Sequence, residues 1–95
     1  LDVQGKIYAE ELEIMLTPFP DYVFAADYDR MSLTDLETFI TKNKHLPGIP
    51  SAKEVAEDGL GVGELLKLQM EKIEELTLYV IELQKEINKL QNPEK

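Results

Sequence analysis

Three side chains near the middle of the sequence could do acid–base or nucleophilic chemistry. His45 is the single histidine of the chain, and Ser51 and Lys53 stand two positions apart. An imidazole needs a second positioned group for proton transfer, and the prolines around His45 favour a structural role. Ser51, followed three positions later by Glu54, has the pattern of a helix cap. The sequence therefore predicts no catalytic residue and no cofactor, and we expect a protein that is not an enzyme.

The residues around position 28 are the best candidates for ligand contacts. Asp27 and Asp29 could hold a cation, but this loop lacks the spaced oxygen ligands and the glycine of an EF-hand. A solvated acidic surface without a metal site is the favoured interpretation. Tyr22 and Tyr28 could stack on a sugar ring. They remain candidate contacts for a receptor or a glycan.

Composition limits the partners of this chain. It has 95 residues, a net charge of −9 and no cysteine. An acidic chain is repelled by phosphate backbones and anionic lipids, so we expect neither a nucleic-acid nor a membrane-surface partner. No apolar run is long enough for a membrane span. Because the sequence starts at Leu1 without a secretory signal, we expect it to be a piece of a longer polypeptide.

The first 16 residues have the pattern of β-structure. Apolar residues alternate at Leu1, Val3 and Ile7, and they alternate again at Leu12 and Ile14 after a change of phase. A two-residue period is typical of a half-buried strand. The sequence therefore predicts one or more short N-terminal strands, with a short helix over residues 9–16 as the alternative. A further short strand is predicted at residues 22–24.

Two short helices are predicted in the middle of the chain. Ser32 and Ser51 are each followed three positions later by an acidic residue, which is the pattern of a capping box. The first helix should end near residues 42–44, whose lysines suit the negative end of a helix. The second should end at Gly59, since glycine favours the left-handed position after a helix.

A heptad pattern extends over residues 62–92. The a and d positions hold Val62, Leu66, Gln69, Ile73, Leu76, Val80, Leu83, Ile87 and Leu90. We call these residues the seam. Apolar a and d positions sustained over several heptads indicate helices that associate with one another. The seam is therefore the predicted oligomer interface.

The residues beside the seam bear on the number of helices. β-branched residues at a with Leu at d favour two strands. The usual ladder of charges at e and g is nevertheless nearly absent, and three strands bury these flanks more fully than two. We therefore predict a homotrimer. The extra apolar residues Leu68, Leu78 and Ile81 indicate that the first half of the helix is buried on several sides. The head, of the same chain or of a neighbour, is expected to cover it with Phe39, Ile40 and Val55.

Several motifs resemble a known family. They are residues 21–24 (Asp-Tyr-Val-Phe), residues 28–29 (Tyr-Asp) with 31–33 (Met-Ser-Leu), residues 43–52 with their His-Leu-Pro-Gly-Ile-Pro-Ser run, Gly63-Glu64, and residues 71–79. Together they resemble the C-terminal domain of tail-fibre-like and surface proteins of Bacteroidota. Such domains are similar in placement to the intramolecular chaperone domains of phage tail spikes.

The resemblance implies a trimeric cap that sets chain register, so that an upstream β-rich stem of the same polypeptide can fold. It also implies a location on a virion or a cell surface. A host receptor or glycan could bind at such a tip, which is an alternative function. Self-cleaving members use a Ser with a Lys to release the chaperone, a second alternative, but the expected cleavage motif is missing here. A trimerisation tip that is not cleaved is the favoured function.

The predicted fold is therefore α+β. Residues 1–16 are the strand-forming end of the stem, residues 17–61 form a small helical head, residues 62–92 form the coiled-coil helix, and residues 93–95 are a tail. The long helix is expected to form a three-stranded coiled coil.

Overall fold

The computed structural model describes residues 3–91. A 3₁₀ helix at Pro20–Phe24 is followed by three α-helices: α1 at Leu33–Asn43, α2 at Ala52–Asp58 and α3 at Val62–Gln91. Residues 3–91 contain no strand. The fold of this range is all-helical, and the α+β prediction is wrong.

The N-terminal segment explains why the strand prediction failed. Residues 3–16 have no regular structure, and Ile7 and Tyr8 are 74% and 86% exposed. Alternation of apolar and polar residues gives a segment one apolar face. A strand also needs an adjacent strand whose backbone N–H and C=O groups pair with its own. Nothing within residues 3–91 pairs with this segment in a ladder. The segment is attached at its end, where the side chains of Ile14 and Leu16 lie against Gly63.

Residues 22–24 also differ from the predicted strand. They belong to the 3₁₀ helix, which begins with Pro20 in its first turn. Proline has a fixed φ that suits the start of a helix. Val23 becomes buried at 2% exposure, whereas Phe24 remains 54% exposed.

The two short helices begin and end where their caps predict. The Ser32 side chain accepts a hydrogen bond from the Asp35 backbone N–H at 3.2 Å, and Lys44, with a φ of 63°, takes the left-handed position after α1. In α2, the Ser51 and Glu54 side chains each accept a hydrogen bond from the other residue's backbone N–H. These local signals act within a few residues, so they are readable from sequence.

The long helix α3 dominates the shape of the molecule. It has 30 residues, which corresponds to about 45 Å of helix, and the molecule measures 63 × 32 × 24 Å. The predicted helix at residues 62–92 is confirmed through Gln91. Asn92 and the predicted tail at 93–95 lie outside the described residues. No helix within residues 3–91 has the length and apolar character needed to cross a membrane.

The interior of this chain is small. Among the described residues, Pro20, Val23, Glu74 and Tyr79 are buried. The chain exposes 8331 Å², whereas a compact monomer of 10.9 kDa exposes about 5,600 Å². A single copy therefore leaves much of its apolar surface in water.

The 3₁₀ helix, not α1 or α2, provides the main cover of α3 within one chain. Among the elements of residues 3–91, extensive packing joins the 3₁₀ helix to α3. Phe39 of α1 instead packs edge-on against His45, with 5.6 Å between ring centroids. Extensive cover of α3 by Phe39, Ile40 and Val55 of the same chain is therefore not found among the described residues. Cover by these residues of a neighbouring copy stays a prediction.

Candidate self-association surface

One side of α3 is held by the head of the same chain through polar contacts. Its residues are Glu71, Glu74, Glu75, Tyr79 and Glu82. We call these residues the anchor face. They occupy heptad positions other than a and d, so the anchor face and the seam are separate surfaces of one helix.

Two tyrosines of the head donate hydrogen bonds to glutamates of the anchor face. The Tyr22 hydroxyl donates to Glu71 Oε2, and the Tyr28 hydroxyl donates to Glu75 Oε2 at 2.5 Å. The Glu71 hydrogen bond, with burial and nearby acidic charge, raises the pKa of Tyr22 to about 12. Burial and the Glu75 hydrogen bond also raise the pKa of Tyr28. Both hydroxyls therefore remain hydrogen-bond donors to a higher pH than an ordinary tyrosine does.

Tyr79 is the apolar centre of the anchor face. Its ring is 7% exposed, and its hydroxyl donates to the Met31 carbonyl at 2.5 Å. The Arg30 guanidinium lies 4.4 Å from the Tyr79 ring centroid and bonds Glu82 Oε2 at 3.2 Å. A cation over an aromatic face is attracted by the ring quadrupole. Residues 30–31 are thus held on α3 by three contacts: the ion pair of Arg30 with Glu82, the stacking of Arg30 on the Tyr79 ring, and the hydrogen bond from Tyr79 to the Met31 carbonyl.

Glu74 is a buried acid at the contact between the 3₁₀ helix and α3. It is 6% exposed, and its Oε1 atom has no hydrogen-bond partner among the described residues. Burial raises the pKa of Glu74, and the charge of Asp21, a hydrogen bond with Asp21 and the charge of Glu71 raise it further. The uncharged form of Glu74 is therefore favoured by this environment.

The seam is open along the whole of α3. Its eight apolar members are 43–81% exposed, and Gln69 is exposed as well. Burying one such aliphatic side chain stabilises a protein by about 1.5–3 kcal/mol. This apolar stripe is interrupted at Gln69, but it is longer than the scatter of single apolar residues that is ordinary on the surface of a monomer.

The other candidate residues of the sequence have local roles. The rings of Tyr22 and Tyr28 lie 6.0 Å apart, but their hydroxyls are engaged by Glu71 and Glu75, so their role as ligand contacts stays a prediction. His45 Nδ1 lies 2.9 Å from the carbonyl oxygen of its neighbour Leu46, and Ser51 caps α2. Within residues 3–91, no group of three or more His, Cys, Asp or Glu residues is arranged to hold a metal ion.

Sequence reasoning missed the anchor face. Glu71 and Glu75 are four residues apart, a spacing that places them on one side of a helix, but acidic residues on a helix usually indicate a solvated face. Their tyrosine partners lie 49 and 47 residues away in the chain. The contact could have been predicted only by matching the tyrosines before residue 30, which are hydrogen-bond donors, with the glutamates on one side of α3, which are acceptors.

Neither a protein family, nor a curated protein, nor a solved structure matches this chain. The resemblance to tail-fibre-like end domains, and the virion or surface location that it implies, therefore remain predictions. The geometry of α3 is the basis for a functional proposal.

Proposed function

We propose that this chain is a non-catalytic self-association domain that forms a homotrimer through the seam of α3. The observation that carries the proposal is the contrast between the two sides of the helix. The anchor face, apart from the exposed Glu82, is buried or half-buried against its own chain, whereas the apolar residues of the seam are exposed along its length. Another copy offers a seam of matching length and period.

Charge is compatible with association at this surface. The chain carries a net charge of −9, and copies of it repel one another at long range. The seam itself contains no ionisable side chain, and the acids of the anchor face lie away from it. Association through the seam therefore buries apolar groups without burying unpaired charge, which would be costly.

The flanks of the seam favour three strands over two. Leu65 at g and Met70, Thr77 and Gln84 at e are uncharged, and Leu65 and Met70 are apolar. A two-stranded coiled coil leaves such positions largely in water and uses charges there to select its partner. Three strands bury them further, so the third helix adds apolar burial that a dimer lacks.

A trimer would also bring the N-terminal segments together. The end of segment 3–16 lies against Gly63 near the start of α3, so a bundle of α3 helices holds the segments of all its copies at one end. This placement supports a role in setting the register of an upstream stem in the same polypeptide, on a virion or a cell surface.

Paired variants on α3 test the proposal. Ile73 in the seam and Ile81 outside it are 53% and 46% exposed, so Ile73→Asp and Ile81→Asp make the same change in the same helix at similar exposure. In a trimer, Ile73→Asp would bury one unpaired carboxylate in each of the three copies, and burial of an unpaired charge is costly. Light scattering should report a monomer for Ile73→Asp and a trimer for Ile81→Asp. Equal masses for the two variants would refute the role of the seam.

A further inference from the structure

A groove runs between the connector that joins α1 to α2 and the side of α3. Its volume is about 520 Å³. Leu46 and Ile49 of the connector form one wall, and Leu65, Ile73 and Leu76 are among the α3 residues of the other. We call this space the connector groove. Because Ile73 and Leu76 are also seam residues, the groove is continuous with the seam.

The connector is built to hold its apolar side chains in place. Pro47 and Pro50 flank Gly48 and Ile49, and each proline has a fixed φ. Gly48 has a φ of 76°, a conformation that glycine adopts without strain. The Ile49 N–H donates to the Leu46 carbonyl at 3.2 Å, so the two apolar residues are joined by one turn. Leu46 nevertheless remains 42% exposed.

The heptad positions show what the groove would face in an assembly. Leu65 and Lys72 are g positions, so the groove lies on the g side of the seam. In a parallel coiled coil, a g side chain faces the e side chain of the next heptad on the neighbouring helix. The neighbour's Met70 would therefore face Leu65, at the edge of the connector groove.

We propose that the connector groove is the seat of a second copy's α3, with Leu46 and Ile49 contacting the neighbour's Met70. This inference rests on the proposed function, since it names further residues at the same association surface. It makes the connector an intersubunit element. The contact also gives the connector a role in register, because only one alignment of the helices places Met70 opposite Leu65.

The area and the charge of the surface favour a second copy as the occupant. The chain exposes 8331 Å², about 2,700 Å² more than a compact chain of its mass. Each side of a standard interface buries about 800 Å², so two neighbours in a trimer fit within the excess. The charged residue of the groove, Lys72, is paired with Glu75 at 3.0 Å and Glu71 at 3.5 Å. The charge of Lys72 is therefore balanced within its own chain, and a second copy would meet the groove through the uncharged Met70.

Cross-linking between copies tests the contact directly. The chain has no cysteine, so the introduced cysteines are the only thiols that the cross-linker can react with. The full chain carrying Ile49→Cys and Met70→Cys is mixed as unlabelled and ¹⁵N-labelled protein and treated with a short bis-maleimide. Mass spectrometry should then find links between position 49 of one copy and position 70 of another. The matched control, Ile49→Cys with Ile81→Cys, should give no such links because position 81 is a b position on the outside of the bundle.

A third protein separates this inference from the proposed function. Ile73→Cys places a single thiol in the seam, where a trimer should link its copies. If position 73 links copies but positions 49 and 70 do not, the seam is an interface and the groove is not the seat of a neighbour. If position 73 fails to link copies as well, both the proposed function and this inference are wrong.

Discussion

The anchor face and the seam of α3 differ in composition and in what covers them. The anchor face consists mainly of glutamates and one tyrosine, and the head of the same chain provides its partners. The seam is apolar, and the described residues of one chain leave it open. The net contribution of one hydrogen bond to the stability of a fold is about 0.5–1.5 kcal/mol, whereas burial of one aliphatic side chain contributes about 1.5–3 kcal/mol.

This difference assigns separate roles to the two surfaces. Polar contacts require matched donors and acceptors, so the anchor face fixes where the head sits on α3. Apolar burial is less directional but larger in sum, so in the proposed trimer the seam would supply most of the free energy of assembly. Changes to the anchor face should loosen the head without altering the mass of the assembly, and changes to the seam should do the reverse.

The largest effect on the anchor face is expected from Tyr79→Ala. Truncating a buried large aromatic residue costs about 3–5 kcal/mol. The Met31 carbonyl loses the hydroxyl that donates to it, and the Arg30 guanidinium loses the ring beneath it. Hydrogen exchange of residues 20–31 should become faster, while light scattering still reports the unmodified mass. Tyr8→Ala is the matched control, since Tyr8 is 86% exposed. Unchanged exchange in Tyr79→Ala would show that the ring does not hold the head.

A smaller effect is expected from Ser51→Ala, which touches neither surface. The variant removes the acceptor of the Glu54 N–H, and loss of such a cap costs about 0.5–2 kcal/mol. Amides of α2 should exchange faster, while those of α3 and the mass stay unchanged. Ser51→Asn, which keeps a side-chain acceptor at the cap, should restore protection. If Ser51→Asn behaved like Ser51→Ala, the cap would not be the cause.

The smallest effect is a pH dependence of the anchor face. Burial and the charge of Asp21 raise the pKa of Glu74 above its usual 4.5, so the folded head binds a proton more tightly than the unfolded chain does. Its contribution to stability is full below pH 4.5 and is lost as the pH rises through the raised value. In Glu74→Gln, melting of the head followed by near-ultraviolet circular dichroism should change less over this range than in the unmodified protein.

The control for that titration is Glu86→Gln on the exposed part of α3. The Glu86 side chain is 61% exposed, so its removal should leave the pH dependence unchanged. A pH dependence that is equal in Glu74→Gln and the unmodified protein would assign it to other acids.

The helices were predictable because their signals are local. The Ser32 and Ser51 caps, Gly59 and the heptad of α3 each act within a few residues, and the structure confirms the elements that they predict. The N-terminal strands were not predictable in the same way. Alternation at residues 1–16 says nothing about a pairing partner, and the structure contains none within residues 3–91.

The anchor face shows the same limit of sequence reasoning. In the sequence, Tyr79 is an uncharged residue at a g position, and uncharged g positions favour a three-stranded coiled coil. In the structure, the Tyr79 ring is buried beneath Arg30 and its hydroxyl donates a hydrogen bond to the Met31 carbonyl. Its partners lie 48 residues away or more. Heptad position alone cannot distinguish a flank covered by another copy from one covered by the head.

The mass of the unmodified chain in solution is the most direct test of the central claim. Light scattering across micromolar concentrations should give three times the 10.9 kDa of one chain, because three strands bury the seam and the uncharged e positions beside it most fully. A mass of one chain would contradict self-association through α3. A mass of two chains would contradict the three-stranded arrangement.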